Sequence, residues 1–260
     1  MVGVKKDLSK ILENGKAVII PMDHGVSCGP IDGLIDMNKA VEDISLGGAS
    51  AVLLHKGIIK SLKSRPKCGV ILHASAGTDL ERDTKRKVII ASVEDALRLG
   101  ANAMSIHVNI GGSEYEPEML QDLGKMASDC DKANMPLLAM TYARGDNVKN
   151  SFDVEAIKLV TRVGAELGAD LVKCNYTGDS DSFKEVVRGC PVPVVIAGGS
   201  KCKTDKDVLE MVRGAMDAGS IGISLGRNAF QHANRIRMVS ALRSIIVNNA
   251  SVEDAMKLLK

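Results

Sequence analysis

The sequence predicts a (β/α)8 barrel, and three observations predict it. Short apolar runs recur eight times along the 260 residues, four of them follow nearly the same turn phrase, and reactive polar residues collect just after them. Eight strands joined by helices close into a barrel when every connection is right-handed. An open doubly wound sheet is the alternative, and nothing in composition divides residues 1–260 into more than one domain.

The runs are AVIIPMD (17–23), SAVLLH (50–55), VILH (70–73), NAMSIH (102–107), PLLAMT (136–141), DLVKCN (170–175), PVVIAG (193–198) and SIGISLG (220–226). Hydrophobic residues make up 45% of the chain, aromatic ones only 2%, so the core must be aliphatic, as in parallel sheets covered by helices. Between the runs lie helical patterns. Ser92 is placed to cap one in which positions 93, 96, 97 and 99 share an apolar face. The phrases LGGASAVLL, LGANAMSI, LGADLVKC and AGSIGIS each put a glycine where a helix ends in a left-handed residue before the next strand. Residues 56–69 and 74–88 are longer and polar, and the repeat is least regular there.

Net charge is +2, too balanced for nucleic acid, and Lys85-Arg86-Lys87 reads as a solvated loop. Six cysteines with no CxxC pair suit reduced thiols. No apolar stretch is long enough for a signal peptide or a membrane span, so a soluble cytoplasmic protein is expected.

In barrel enzymes the chemistry sits at the carboxyl ends of the strands. After the seventh and eighth runs come Gly198-Gly199-Ser200 and Gly226-Arg227-Asn228, where backbone N–H groups and the Arg227 fork suit a phosphate; two tight turns are the plainer explanation. Alternation along the sixth run puts Leu171, Lys173 and Asn175 on one face, with Val172 and Cys174 facing the helices. Lys173 then points into the barrel. Poor solvation drives a lysine amine toward its neutral, nucleophilic form, which suits an imine with a carbonyl substrate. A lysine that snorkels to water, or pairs with Asp23 or Asp179, fits the position equally.

The same parity turns Met140 and Tyr142 inward beside it, and a phenol there could pass protons during carbon–carbon bond making or breaking, or simply line the rim. Asp23 could accept a substrate proton, hold the lysine's charge or cap a helix. His24, His55, His73 and His107 all fall at or near strand ends and form a rival set that could bind a divalent metal, although they match no ligand motif. Lys56 is a second candidate nucleophile.

Read together, VIIPMDHGVS (18–27), TYARG (141–145), LVKCNYTGD (171–179), VIAGG (195–199) and GRNAFQH (226–232) resemble the archaeal class I aldolases of the DhnA/FbaB type, over nearly the whole chain. GLID (33–36) and HKGI (55–58) add to the likeness. Within that family the chain is most similar to the branch serving the archaeal route to 3-dehydroquinate and the aromatic amino acids. The resemblance implies a Schiff-base transaldolase without metal or other cofactor. Lys173 would form the imine with a 6-deoxy-5-ketofructose phosphate-type donor, and the enamine left after cleavage would attack L-aspartate semialdehyde. Tyr142 matches the family's proton donor and Asp23 its proton acceptor. Substrate contacts carry over to Asp23, His24, Gly25, Val26 and Ser27, to Tyr142, Ala143 and Arg144, to Lys173, and to Gly198, Gly199, Gly226 and Arg227. Homo-oligomers, often decamers, are also implied.

The pattern departs from the family at Ala143, where proline is usual, and at Ala74 and Ala76 in the third loop. Met140 stands where the sister fructose-bisphosphate aldolases tend to carry Trp. Those aldolases remain the alternative activity within the mechanism; a metal-dependent lyase and a non-catalytic phosphosugar-binding barrel are the alternatives outside it.

Overall fold

The computed structural model describes residues 6–260. Eight parallel strands close into a barrel, and each overlaps one of the expected runs: β1 (Ala17–Pro21), β2 (Ala51–Leu54), β3 (Gly69–His73), β6 (Ala103–Ile110), β7 (Leu137–Ala143), β8 (Leu171–Asn175), β9 (Val194–Ala197) and β10 (Gly222–Ser224). Around the barrel their order is β1-β10-β9-β8-β7-β6-β3-β2. A hairpin absent from the sequence expectation, β4 (Ser75–Ala76) against β5 (Val88–Ile89), folds from the irregular polar stretch between β3 and β6. The other irregular stretch holds α3 (Lys56–Ser61).

Strand alternation separates two apolar layers. Ile19, Leu53, Ile71, Leu138, Leu171 and Val195 fill the barrel, while Val18, Val52, Leu72, Ala139, Val172 and Ile196 pack outward under the helices. The four turn phrases behave as their glycines require: Gly48, Gly100, Gly168 and Gly219 all have positive φ. Ser92 caps α4 (Val93–Leu99) in a reciprocal capping box with Asp95.

Three boundaries differ most from expectation, the first being β7, which runs on to Ala143 and so takes Tyr142 into the strand. β6 continues to Ile110 because its ladder with β7 runs on through Asn109 opposite Tyr142 and Ile110 opposite Ala143, while the polar His107 and Asn109 side chains pair with each other and Asn109 with Lys85 O of the third loop, so His107 lies within a strand rather than at its end. β10 is only three residues long and stops before Gly226, which opens a short turn of helix, α9 (Arg227–Phe230). No helix among the described residues is long and apolar enough to cross a membrane.

Candidate active site

Lys173 is the middle residue of β8 and is 7% exposed. Its Nζ contacts Met140 Sδ at 3.8 Å, across the register that pairs the two residues, and it forms no ion pair among the described residues. Neither proposed acid partner takes it up. Asp179 instead caps α7 (Ser180–Gly189), accepting from the backbone N–H groups of Asp181 and Ser182. Lys56 leaves the site altogether: α3 begins at that residue and throws its side chain outward, where Nζ donates to Ile90 O and lies 3.5 Å from Asp95.

Tyr142, on the next strand, points inward as parity demands. Its ring packs 4.9 Å from that of His107, and the Arg144 guanidinium lies over it at 4.5 Å. His107 Nε2 donates to Asn109 Oδ1 at 2.8 Å, and burial drives its pKa well below the usual histidine value. Ala143 faces the outer layer, so only its backbone is available to the mouth.

Asp23 follows β1 and faces the cavity without capping α1 (Gly25–Cys28). His73 Nε2 stands 3.6 Å from its Oδ2 and His24 Nδ1 3.5 Å from its Oδ1. Burial on its own would raise the Asp23 pKa. The attraction of His73, His24 and Lys173 outweighs that and brings it to about 2, so the carboxylate is ionised at neutral pH. His73 is held in turn by Ser105, whose Oγ is 2.8 Å from Nδ1, and burial lowers its pKa to about 4. His24 and His55 are also lowered by burial. At pH 7 the imidazoles around Asp23 are therefore mainly neutral. Among the described residues no group of three His, Cys, Asp or Glu is arranged to hold a metal ion.

The glycines of the last two loops have separate physical reasons. A Cβ on Gly198 would stand 2.4 Å from Leu225 Cγ, and one on Gly226 2.7 Å from Pro21 O and 2.8 Å from His24 Cε1, so packing excludes any side chain. Arg227 ties the loops together by donating from Nη2 to Gly199 O at 2.8 Å, while its buried Nε has no partner among the described residues. An unpaired buried donor beside backbone N–H groups suits an anion. Asn228, unpredicted as a functional residue, staples the same loops: Nδ2 donates to Gly198 O and Ser200 O at 3.2 Å each, and Oδ1 accepts from Cys202 N at 2.7 Å.

Ser27 turns toward the third loop and donates from Oγ to Gly77 O at 2.9 Å; Gly25 and Val26 are exposed beside it. Lys173, Tyr142, Arg144, Asp23 and the two glycine loops thus gather at one end of one barrel, which brings an amine, a phenol, a guanidinium and a carboxylate to the carboxyl ends of its strands.

The sequence model describing DeoC/LacD family aldolases matches residues 17–232. The chain belongs to the DeoC/LacD family of aldolases. Two archaeal relatives of this DeoC/LacD aldolase carry the name 2-amino-3,7-dideoxy-D-threo-hept-6-ulosonate synthase. That of Halobacterium salinarum is 39% identical over 250 residues, covering 96% of this chain and 93% of the relative. Synthase 1 of Archaeoglobus fulgidus is 40% identical over 261 residues, covering 99% and 96%. Among solved structures, an archaeal fructose-1,6-bisphosphate aldolase with its catalytic lysine covalently bound to the carbinolamine intermediate superposes on the DeoC/LacD barrel with a TM-score of 0.85. It is 32% identical, over 91% of this chain and 96% of its own.

Proposed function

We propose that the chain is a lysine Schiff-base transaldolase that joins a three-carbon ketone unit to L-aspartate semialdehyde and makes 2-amino-3,7-dideoxy-D-threo-hept-6-ulosonate. The observation that carries this reading is Lys173: a buried amine free of any acid partner among the described residues, beside Tyr142, in a chain 39% and 40% identical to two synthases over nearly its whole length.

The product's name supports the choice of substrates. It describes a seven-carbon chain with an amino acid at C1–C2 and a ketone at C6. An aldol disconnection beside that ketone cuts C4–C5. One piece is the three-carbon hydroxyketone and the other is the four-carbon amino-acid aldehyde.

The Lys173 amine condenses with the donor ketone and releases water. The bond between the carbon next to the imine and the hydroxyl-bearing carbon after it then breaks; its electrons flow into the imine to leave an enamine, and the three-carbon phosphate fragment departs as an aldehyde after its hydroxyl proton passes to a base. Asp23 is ionised at neutral pH and so can receive that proton, and its low pKa makes it a weak base that readily passes the proton on. The enamine attacks the aldehyde carbon of the semialdehyde, the new alkoxide takes a proton from Tyr142, the proton held by Asp23 returns to the Tyr142 phenolate, and water hydrolyses the imine to free Lys173. Gly198, Gly199, Gly226 and Arg227 hold the donor phosphate.

The test is to trap the imine with borohydride in the presence of the phosphorylated donor and map the adduct by mass. A wild-type protein that turns over without an adduct at Lys173 would sink the reading. A second activity, fructose-bisphosphate aldolase, is favoured by the close superposition on that enzyme. Fructose bisphosphate cleaved as efficiently as L-aspartate semialdehyde is consumed would move the assignment there.

A further inference from the structure

The run Lys85-Arg86-Lys87 does not behave as one solvated stretch. Lys85 pairs with Asp146 at 2.5 Å and reaches toward Asp83 at 3.9 Å. Arg86 lies 5.0 Å over the Tyr115 ring and 3.8 Å from Glu118. Lys87 turns the other way. It is half-buried, forms no ion pair among the described residues, and passes over Gly77, where a Cβ would stand 2.8 Å from its Nζ.

The segment is fixed from both sides. Ser27 holds Gly77 O, and Asn109, itself bound by His107, donates from Nδ2 to Lys85 O at 2.7 Å. Lys87 is near enough to Asp23, His73 and His107 for its charge to act on them, and its amine is pushed toward neutrality first by burial and then by repulsion from Arg144. Arg144 stacks on Tyr142 and likewise has no ion pair among the described residues. Two cations from different loops thus come within reach of each other's charge, and although the Asp79, Asp23 and Asp83 carboxylates are near enough to offset part of the Lys87 charge, none forms an ion pair with either cation among the described residues. Such an arrangement is unfavourable empty and favourable once an anion arrives.

Strand order places these two cations on the far side of Lys173 from the glycine loops, which follow β9 and β10, whereas Arg144 follows β7 and Lys87 stands on the third loop next to β6. Tyr142 lies on the same side, beneath Arg144. An acceptor whose aldehyde carbon reacts within reach of the Tyr142 hydroxyl lies beside Arg144, which stacks on the same ring, and Arg144 is the cation whose charge acts on Lys87. We propose that Lys87, together with Arg144, binds the carboxylate of the aldehyde that adds to the lysine-bound enamine, and so selects an anionic acceptor. This rests on the Schiff-base reading above. The donor phosphate is assigned to the glycine loops, which leaves the Lys87 site for the carboxylate.

Steady-state kinetics of Lys87→Met and Lys87→Arg test it, with L-aspartate semialdehyde and propanal as charged and uncharged acceptors. For Lys87→Met the KM for the semialdehyde should rise about tenfold or more, as expected for a lost charge-assisted contact. The kcat, the donor KM and the rate with propanal should stay unchanged, and Lys87→Arg should recover most of the semialdehyde affinity. A rise confined to the donor KM would mean that Lys87 serves the phosphate. Equal losses with both acceptors would mean a merely structural role. Either outcome, or an unchanged semialdehyde KM, overturns the proposal. Borohydride trapping of each variant with donor alone keeps the two ideas apart, because an adduct at Lys173 with unchanged semialdehyde kinetics sinks the Lys87 assignment and leaves the imine standing.

Discussion

His73 Nε2 faces Asp23 Oδ2 across 3.6 Å, beyond ordinary hydrogen-bond length, while the other ring nitrogen is anchored to Ser105 at 2.8 Å. The pair sits at the end of β1 and β3, where burial favours the neutral imidazole and nearby positive charge favours the carboxylate.

This arrangement predicts acid sensitivity. The His73 pKa falls from 6.5 to about 4 on folding, so between those values the unfolded chain binds a proton that the folded chain refuses. Stability from this group is therefore lost as pH drops from 6.5 toward 4, by up to about 3 kcal/mol. Asp23 acts in a lower window: its depressed pKa contributes stability above 3.8 that disappears as pH falls toward 2. Urea midpoints measured from pH 7 to 4.5 should decline, and His73→Asn should flatten the curve. An identical slope in the variant would show that another group governs it.

Tyr142→Phe removes the phenol but leaves the ring contacts with His107 and Arg144. Trapping of the donor at Lys173 should persist while turnover slows by about 10²-fold or more. Rapid mixing followed by borohydride quench separates the two steps, and undiminished turnover excludes Tyr142 from proton transfer.

Asp23→Asn keeps the shape and deletes the charge. Turnover should drop by about 10²–10⁴-fold. Because the native carboxylate stays ionised down to about pH 2, no acid limb of the wild-type rate profile between pH 4 and 7 should belong to it. Persistence of that limb in Asp23→Asn, measured on the residual rate, checks the assignment.

Asn228→Ala unpairs the carbonyls of Gly198 and Ser200 and the N–H of Cys202. A loss of about 1–3 kcal/mol is expected in denaturant unfolding. The KM for the phosphorylated donor should rise because the seventh loop loses its staple, with the acceptor KM little changed.

Gly145→Ala would set a Cβ 2.1 Å from Gly111 O, a backbone clash that must displace the loop carrying Arg144. The semialdehyde KM should increase more than the donor KM. Equal effects on both would show that the displacement spreads across the mouth.

The inward aim of Lys173 and Tyr142 was legible because alternation along a strand is a local property that holds once the strand exists. Ser105, His107 and Asn109 share the same parity in NAMSIHVNI, and carrying the alternation past His107 would have found all three. Lys56 and Lys87 could not be separated this way. Each stands next to an apolar run, yet a helix beginning at Lys56 turns it out and an antiparallel hairpin turns Lys87 in. No local signal marks Asn228 as the staple between two loops.

By itself the sequence determined the eight strands, the residues each aims inward and the glycines that end the helices, because propensity, alternation and positive φ act over a few neighbouring residues. Only the tertiary structure decided which side chains meet at the mouth. Ser27 with Gly77, Asn109 with Lys85 and Arg227 with Gly199 are contacts between distant parts of the chain, formed when barrel closure brings separate loops to one rim. Those contacts fix the loop directions, and with them which cations stay without an ion pair among the described residues.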